Sequence, residues 1–440
     1  MHPTVVLAPL AASGRVRSLA APMSSARIAD ALPALRIRPL RMLLAGQAVS
    51  FVGDALFPVA LAFAVLDELD GTPGQLGIVL AAQALPLALL ILVAGVWADR
   101  LPRQRLMLVS DFGRMVVQAV VAALLLSGSA ELWMLVVLVA FYGVFEAFFR
   151  PAAGGLIPQV AGREHLQQAN ALMGLSQNVG TVLGPTLGGL LVVTVGPGAA
   201  IGVDALTFFV SAIFLIRMGS PPTQRAAGAA TAFWDELRGG VSEVRRRRWM
   251  WTFMPALSTY HLVALPCVLA LGPVIADRDL DGAASWAIIA TCFGIGTIIG
   301  GILSLRLRLA RPMLACTLCF CAAACQPIII GFAGSTGAIA AFELLAGIGV
   351  SAGFTLWETT LGREIPPNAL SRVTSLDWFT TAGLMPLGFA AVAAVAATLG
   401  TRTTMLVASG VVLVLLLVAL ALGDVRRLRV RPVAVAAAAS

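Results

Sequence analysis

Of the 440 residues, 59% are hydrophobic and 12% charged, with a formal charge of +8; soluble domains hold roughly 45–50% and about 25%, so the balance argues against a soluble enzyme. All 30 basic residues are arginines. They stand in short segments between long apolar runs, a placement that suits membrane topology and not nucleic-acid binding.

Residues 1–38 mix Ala, Pro, Ser and Arg without helical periodicity or a cleavage-like site, and read as a disordered cytoplasmic tail with Met23 as an alternative start. Apolar runs long enough to cross a bilayer follow at 40–66, 75–97, 104–126, 132–156, 166–195 and 199–218, giving a first six-helix half over 39–218. Residues 219–248 hold Asp235, Glu236 and the run Arg245 to Arg248 and are too charged to enter the membrane. Within this cytoplasmic linker Phe233, Trp234, Leu237, Val241 and Val244 recur at helical spacing, which predicts an amphipathic helix on the headgroups. Six further runs, at 249–275, 284–305, 311–331, 336–361, 370–399 and 402–422, form a second half over 249–422, and 423–440 is a cytoplasmic tail.

Arginines crowd alternate connections: the N-terminal tail, Arg100/Arg103/Arg105, Arg163, the linker, Arg306/Arg308/Arg311, Arg363/Arg372 and Arg426 to Arg431. That side is predicted to be cytoplasmic, with both termini inside. The opposite connections carry only Arg278 and Arg402. The halves match at an offset of 208 residues, pairing Pro58 with Pro266, Arg103 with Arg311, Gly154 with Gly362 and Ile157-Pro158 with Ile365-Pro366; after a shorter connection the offset is 204, pairing Leu166 with Leu370 and Gly184 with Gly388. A duplicated transporter core shows such pairing.

Between runs two and three stands Gly95-Val-Trp-Ala-Asp99-Arg100-Leu-Pro-Arg103-Gln-Arg105. It resembles the loop signature of the major facilitator superfamily, with Pro102 in place of the second Gly and Gln104 in place of a basic residue. On run five, Gly180-Thr-Val-Leu-Gly184-Pro185-Thr-Leu-Gly188-Gly189 resembles the antiporter signature of drug and proton exchangers; its glycines make a flat face for a neighbouring helix, and Pro185 bends the span. Ala147-Phe-Phe-Arg150-Pro151-Ala152 through Glu164-His-Leu166-Gln-Gln-Ala169-Asn170-Ala171 is similar to the branch holding enterobactin exporters and macrolide-efflux-like proteins. The resemblance covers residues 40–422. It implies an all-α membrane protein, twelve transmembrane helices in two six-helix pseudo-symmetric halves. It also implies a hinge at Asp99, facing the eleventh helix near Leu370 to Arg372, in a secondary transporter of the cell membrane. An arginine that many proton-coupled exporters carry on the fourth span is replaced by Val139, four residues before Gly143.

An ionisable group at bilayer depth needs a partner or a function. Asp54 is the deepest, and Gln47, Ser50 and Asp54 share one face of the first span, so Asp54 is the first candidate for proton carrier or cationic-substrate contact. Glu146 and Arg150 are spaced for an i, i+4 ion pair. Asp204, Glu343, Glu358 and Asp377 read as structural groups near span ends, where snorkelling is easy. Tyr142, Tyr260, His261 and Trp357 lie on spans that in the family line the substrate cavity, where aromatic rings stack or hydrogen-bond an amphipathic ligand. Cys316, Cys319, Cys321 and Cys325 share one apolar span and read as small buried residues, without a metal site or disulfides.

These features predict a transporter that exports a small amphipathic molecule by alternating access in exchange for protons. It would work as a monomer in the lipid bilayer, with no nucleic-acid partner and no cofactor. No phosphate-cradling Gly-x-x-x-x-Gly-Lys-Ser/Thr loop is present to use ATP. An importer on the same fold is the alternative, ahead of a membrane enzyme or a scaffold.

Overall fold

The computed structural model describes residues 35–219, 241–306 and 309–428, apart from the surroundings of scattered helical residues that include Gly95 and Asp99. Among the described residues, 12 helices are long and apolar enough to cross a membrane. They are α1 Arg38–Glu68, α2 Pro73–Arg100, α3 Arg103–Leu126, α4 Leu132–Gly162, α5 Glu164–Val195 and α6 Pro197–Arg217, then α7 Arg248–Asp279, α8 Gly282–Arg306, α9 Pro312–Phe332, α10 Thr336–Glu364, α11 from Pro367 through Leu399, and α12 Thr401–Ala421.

The helix ends follow local chemistry. Thr72 caps α2 in a reciprocal box: the Gln75 backbone N–H donates to Thr72 Oγ1 at 3.3 Å and the Thr72 N–H donates to Gln75 Oε1 at 2.7 Å. Between α4 and α5, where the sequence predicts a connection over 157–165, helix continues past Pro158 and breaks at Gly162, with φ 68° and ψ 172°. Glycine alone enters that region at no steric cost. Before α6 and α12 the chain turns in matching fashion, Gly196 at φ 85°, ψ 162° and Gly400 at φ 81°, ψ 158°. These two positions stand at the 204-residue offset seen in the sequence.

Of the predicted linker helix, Phe233, Trp234 and Leu237 lie outside the described residues. A short helix over 241–246 carries Val244 into the same apolar core as Trp249 and Met250. Beside it, hydrogen bonds from Arg247 hold the Glu243 carboxyl below the usual carboxylate range.

Two arrangements of packing set the shape. α2 packs on α11 and α5 on α8, joining the halves through small residues. A Cβ on Gly189 would lie 2.1 Å from that of Ala287, and one on Gly77 would lie 2.4 Å from that of Ala393. Thr186 and Thr291 bridge α5 and α8 with hydroxyls 2.7 Å apart. The apolar cores divide by end. At the arginine-poor end a single core combines Phe57 to Val65 and Leu76 of the first half with Val268 to Ile275 and Phe389 of the second. At the arginine-rich end, among the described residues, one core holds first-half residues such as Leu43, Met107 and Met173, and another holds second-half residues such as Trp249, Met313 and Val412. The halves are therefore packed together at one end and cored separately at the other.

Candidate functional site

Midway along the first half, α1, α3, α4 and α6 bury a cluster of polar side chains around Arg114. The guanidinium is 1% exposed and lies between two rings, 4.1 Å above Phe149 and 4.3 Å above Phe208, where the aromatic faces attract the cation. It donates to Asp111 at 2.5 Å, one turn away on α3, and to Asp54 of α1 at 3.3 Å. Ser211 of α6 donates to the other Asp111 oxygen at 2.8 Å. Tyr142 of α4 donates to Asp54 at 3.0 Å, with its ring against Phe57 and Phe208. Asp204 of α6 completes the set, accepting from Gln118 at 2.7 Å and from Thr207 at 3.2 Å. α1 comes close enough because residue 53 is glycine: a Cβ there would lie 2.2 Å from Asp204 Oδ1.

Two of the three carboxyls, Asp54 and Asp111, thus share one guanidinium, and access separates all three: Asp111 and Asp204 are 0% exposed, whereas the Asp54 side chain is 30% exposed. Asp111 is committed to Arg114 and Ser211, and Asp204 to neutral donors. Asp54, bonded to Arg114 and Tyr142, is the carboxyl of the three that keeps an exposed face.

The glycine stripe on α5 serves this site. Gly180, Gly184 and Gly188 face Phe51, Ala55 and Leu56 of α1, the segment bearing Asp54, and a Cβ on Gly184 would come within 2.4 Å of the Ala55 Cβ. Pro185 stays inside the helix, and Gly189 looks across to the other half.

Other predicted residues sit elsewhere. Gln47 and Ser50 are each 1% exposed, with Gln47 Nε2 and Ser50 Oγ lacking a partner among the described residues; the α1 face they share is packed against other helices, not open to a cavity. The reason is Gly46 and Gly53 on the same side, which admit α6. Tyr142, Tyr260, His261 and Trp357, expected on a cavity wall, are buried at 2%, 2%, 8% and 0%. Trp357 packs on Trp249 and Phe253 and donates to Asp377 at 3.2 Å, while Tyr260 donates to Gln326 at 2.9 Å. His261 is bonded to the Leu257 carbonyl. Glu146 and Arg150 form their ion pair at 2.5 Å. Asp204 and Glu343 do not snorkel: they are 0% and 2% exposed, because interhelical amide donors hold them inside. In the hinge motif Arg103 donates to the Gly155 carbonyl on α4, Arg100 and Arg105 are exposed, and the Asp99 contact lies outside the described side chains.

The residues that sequence reasoning missed are Asp111, Arg114 and Gln118. They stand at i, i+3 and i+7 on α3, a polar stripe within an apolar run, which is the signal that marks them. Among the described residues no group of three His, Cys, Asp or Glu side chains is placed to hold a metal ion.

A family model described as Major Facilitator Superfamily matches residues 43–379. The chain belongs to that family. Its curated relatives include the MFS-type transporter YfiS of Bacillus subtilis, 29% identical over 62% of this chain and 66% of that protein. The multidrug efflux pump Tap of Mycolicibacterium fortuitum is 28% identical over 60% of this chain and 66% of the pump. The chain therefore spans 66% of the length of each of these relatives. Among solved structures, the nucleoside transporter NupG superposes with a TM-score of 0.71 at 13% identity, over 87% of this chain and 98% of NupG. A bacterial homologue of the lysosomal transporter Spinster, inward-facing and unoccupied, gives 0.63 at 16% identity, over 90% and 99%. At such identities the shared property is the fold, twelve membrane helices in two six-helix halves, and the chain is a multi-pass membrane protein.

Proposed function

We propose that this family member exports a small amphipathic cation by alternating access in exchange for protons, with Asp54 as the group that carries either one. The observation that carries the reading is the Arg114 cluster: a single partly exposed carboxyl held by a guanidinium and a tyrosine, backed by two buried carboxyls. Protonating Asp54 neutralises the charge that holds Arg114; a cationic ligand does the same, so the two compete at one site. Phe57 and Tyr142, 1% and 2% exposed, pack ring against ring behind the carboxyl and hold it in place. The name of Tap supports an efflux direction and a drug-like cargo.

The arginine-rich end is the cytoplasmic one under the positive-inside rule. A single core at the opposite end and separate cores at this end then correspond to a conformation closed outside and open inside, from which an exporter loads. Both termini are cytoplasmic in this orientation.

The test is a vesicle assay with purified protein, an imposed proton gradient and a panel of lipophilic cations alongside neutral and anionic compounds. Proton-driven movement of cations is expected, and Asp54→Asn should abolish it while leaving the protein folded. If nothing in the panel moves, export is wrong; if cargo moves only with the gradient reversed, the protein is an importer; if Asp54→Asn transports normally, Asp54 is structural.

A further inference from the structure

The second half holds a polar group that the Asp54 site leaves unused. Glu343 lies on α10, seven residues in from Thr336, about 10 Å along the axis at the α-helical rise. Its Oε2 accepts from Gln326 Nε2 of α9 at 2.7 Å. Gln326 Oε1 accepts in turn from the Tyr260 hydroxyl of α7 at 2.9 Å, so the tyrosine fixes which end of the amide faces the glutamate. Glu343 Oε1 is buried with no hydrogen-bond partner among the described residues. A π-helical turn over Tyr260–Ala264 opens α7 where the tyrosine leaves it, and such turns recur at functional sites.

Among the described residues no base faces this carboxyl. Of the elements packed around it, α8 carries no charged residue before Arg306 at its far end, α9 presents Gln326, and α7 presents Tyr260, the titratable group within electrostatic reach among the described residues. His261, next on α7, turns its ring towards Phe354 at 5.5 Å. A carboxylate held at this depth without a cation costs several kcal/mol. A sodium ion would need several oxygens around it, and Gln326 Oε1 is already taken by Tyr260.

We propose that Tyr260, Gln326 and Glu343 form a proton-loading site in the second half, separate from the Asp54 cluster. The Glu343 carboxylate takes one proton from a hydronium ion, whose O–H bond breaks to leave water, and becomes a carboxylic acid; the new O–H forms at Oε1, the oxygen that no donor among the described residues reaches. Gln326 holds Oε2 in both states. The role of this proton in turnover rests on the exchange reading above, but its binding does not.

The experiment therefore uses no substrate and no gradient. Purified full-length protein in lipid nanodiscs is shifted between acid and alkaline buffer, with proton uptake counted by a pH indicator and carboxylic C=O bands followed by infrared difference spectroscopy. Glu343→Gln is expected to take up one proton fewer per chain than the parent and to lose one C=O band. Gln326→Leu should keep the uptake and move that band, because the N–H donor to Oε2 is gone. Equal uptake and an unchanged set of bands in Glu343→Gln overturn the proposal, as does a band that responds to sodium at constant pH. Should Glu343→Gln fail to fold, a C=O spectrum unmoved by both Gln326→Leu and Tyr260→Phe overturns it instead. A chain that loads this proton yet moves no cargo would defeat the export reading alone.

Discussion

The two halves share a backbone plan but bury opposite electrostatic designs. The first pairs two carboxyls with one guanidinium clamped between two rings and buries a third carboxyl on an amide beside them; the second closes a carboxyl behind a glutamine and a tyrosine, with no base in contact among the described residues. The glutamines are equivalent: Gln118 and Gln326 stand 208 residues apart, and each donates its amide to a buried carboxyl, Asp204 or Glu343. Around them the repeat has diverged, since the positions 208 after Asp54, Asp111 and Arg114 are Leu262, Cys319 and Ala322. The two halves thus keep a common amide scaffold, and only the first, among the described residues, sets a buried guanidinium beside it.

The sharpest way to break this contrast is Arg114→Met. Leaving Asp54 and Asp111 without their cation should cost about 3–5 kcal/mol, read as a large drop in the melting temperature of the purified protein. Adding Asp111→Asn to that variant should recover part of the loss. An unchanged melting point would mean that the base does not organise the first half.

Next in size is Gly184→Ala, whose new methyl meets the Ala55 Cβ and the backbone of Leu56 at 2.4–2.9 Å. Overpacking there should cost about 1–3 kcal/mol and shift α1, so thermal stability and transport fall together. The matching change Gly154→Ala, with no atom within 4 Å of its Cβ, serves as the silent control.

Asp54→Asn sharpens the comparison differently. Its charged hydrogen bonds with Arg114 and Tyr142 weaken, at about 1–2 kcal/mol, yet the expected loss of proton-driven transport is complete. Transport lost with little change in melting point separates a working carboxyl from a structural one. Smallest is Glu146→Gln, which removes an i, i+4 pair whose arginine is 56% exposed. A stability change near 0.5 kcal/mol or less is expected, and a larger one would tie Glu146 to the Asp54 cluster.

Much of the fold was legible because membrane helices announce themselves by length and apolarity, and because irregular backbone is confined to their ends. Even the α4–α5 boundary failed only locally, where Gly162 makes the break that the sequence reading spread over 157–165. The site was half legible. Asp54, Tyr142 and the Glu146–Arg150 pair stood out as charges or rings on helices the family resemblance marked. The Asp111–Arg114–Gln118 stripe was passed over on α3, a helix that resemblance did not place at the cavity.

What the sequence determined by itself is the count of helices, their duplication and the arginine-rich end, all set by local composition and spacing along one chain. Which side chains meet was decided only by the tertiary structure. Asp54 finds Arg114 across 60 residues in a half where glycines at 46, 53, 180 and 184 let α1 approach α6 and α5, and Glu343 finds Gln326 across 17 where Gly349 and Gly353 of α10 face α9. Partnership between buried charges is a property of helix packing, and no single helix's pattern contains it.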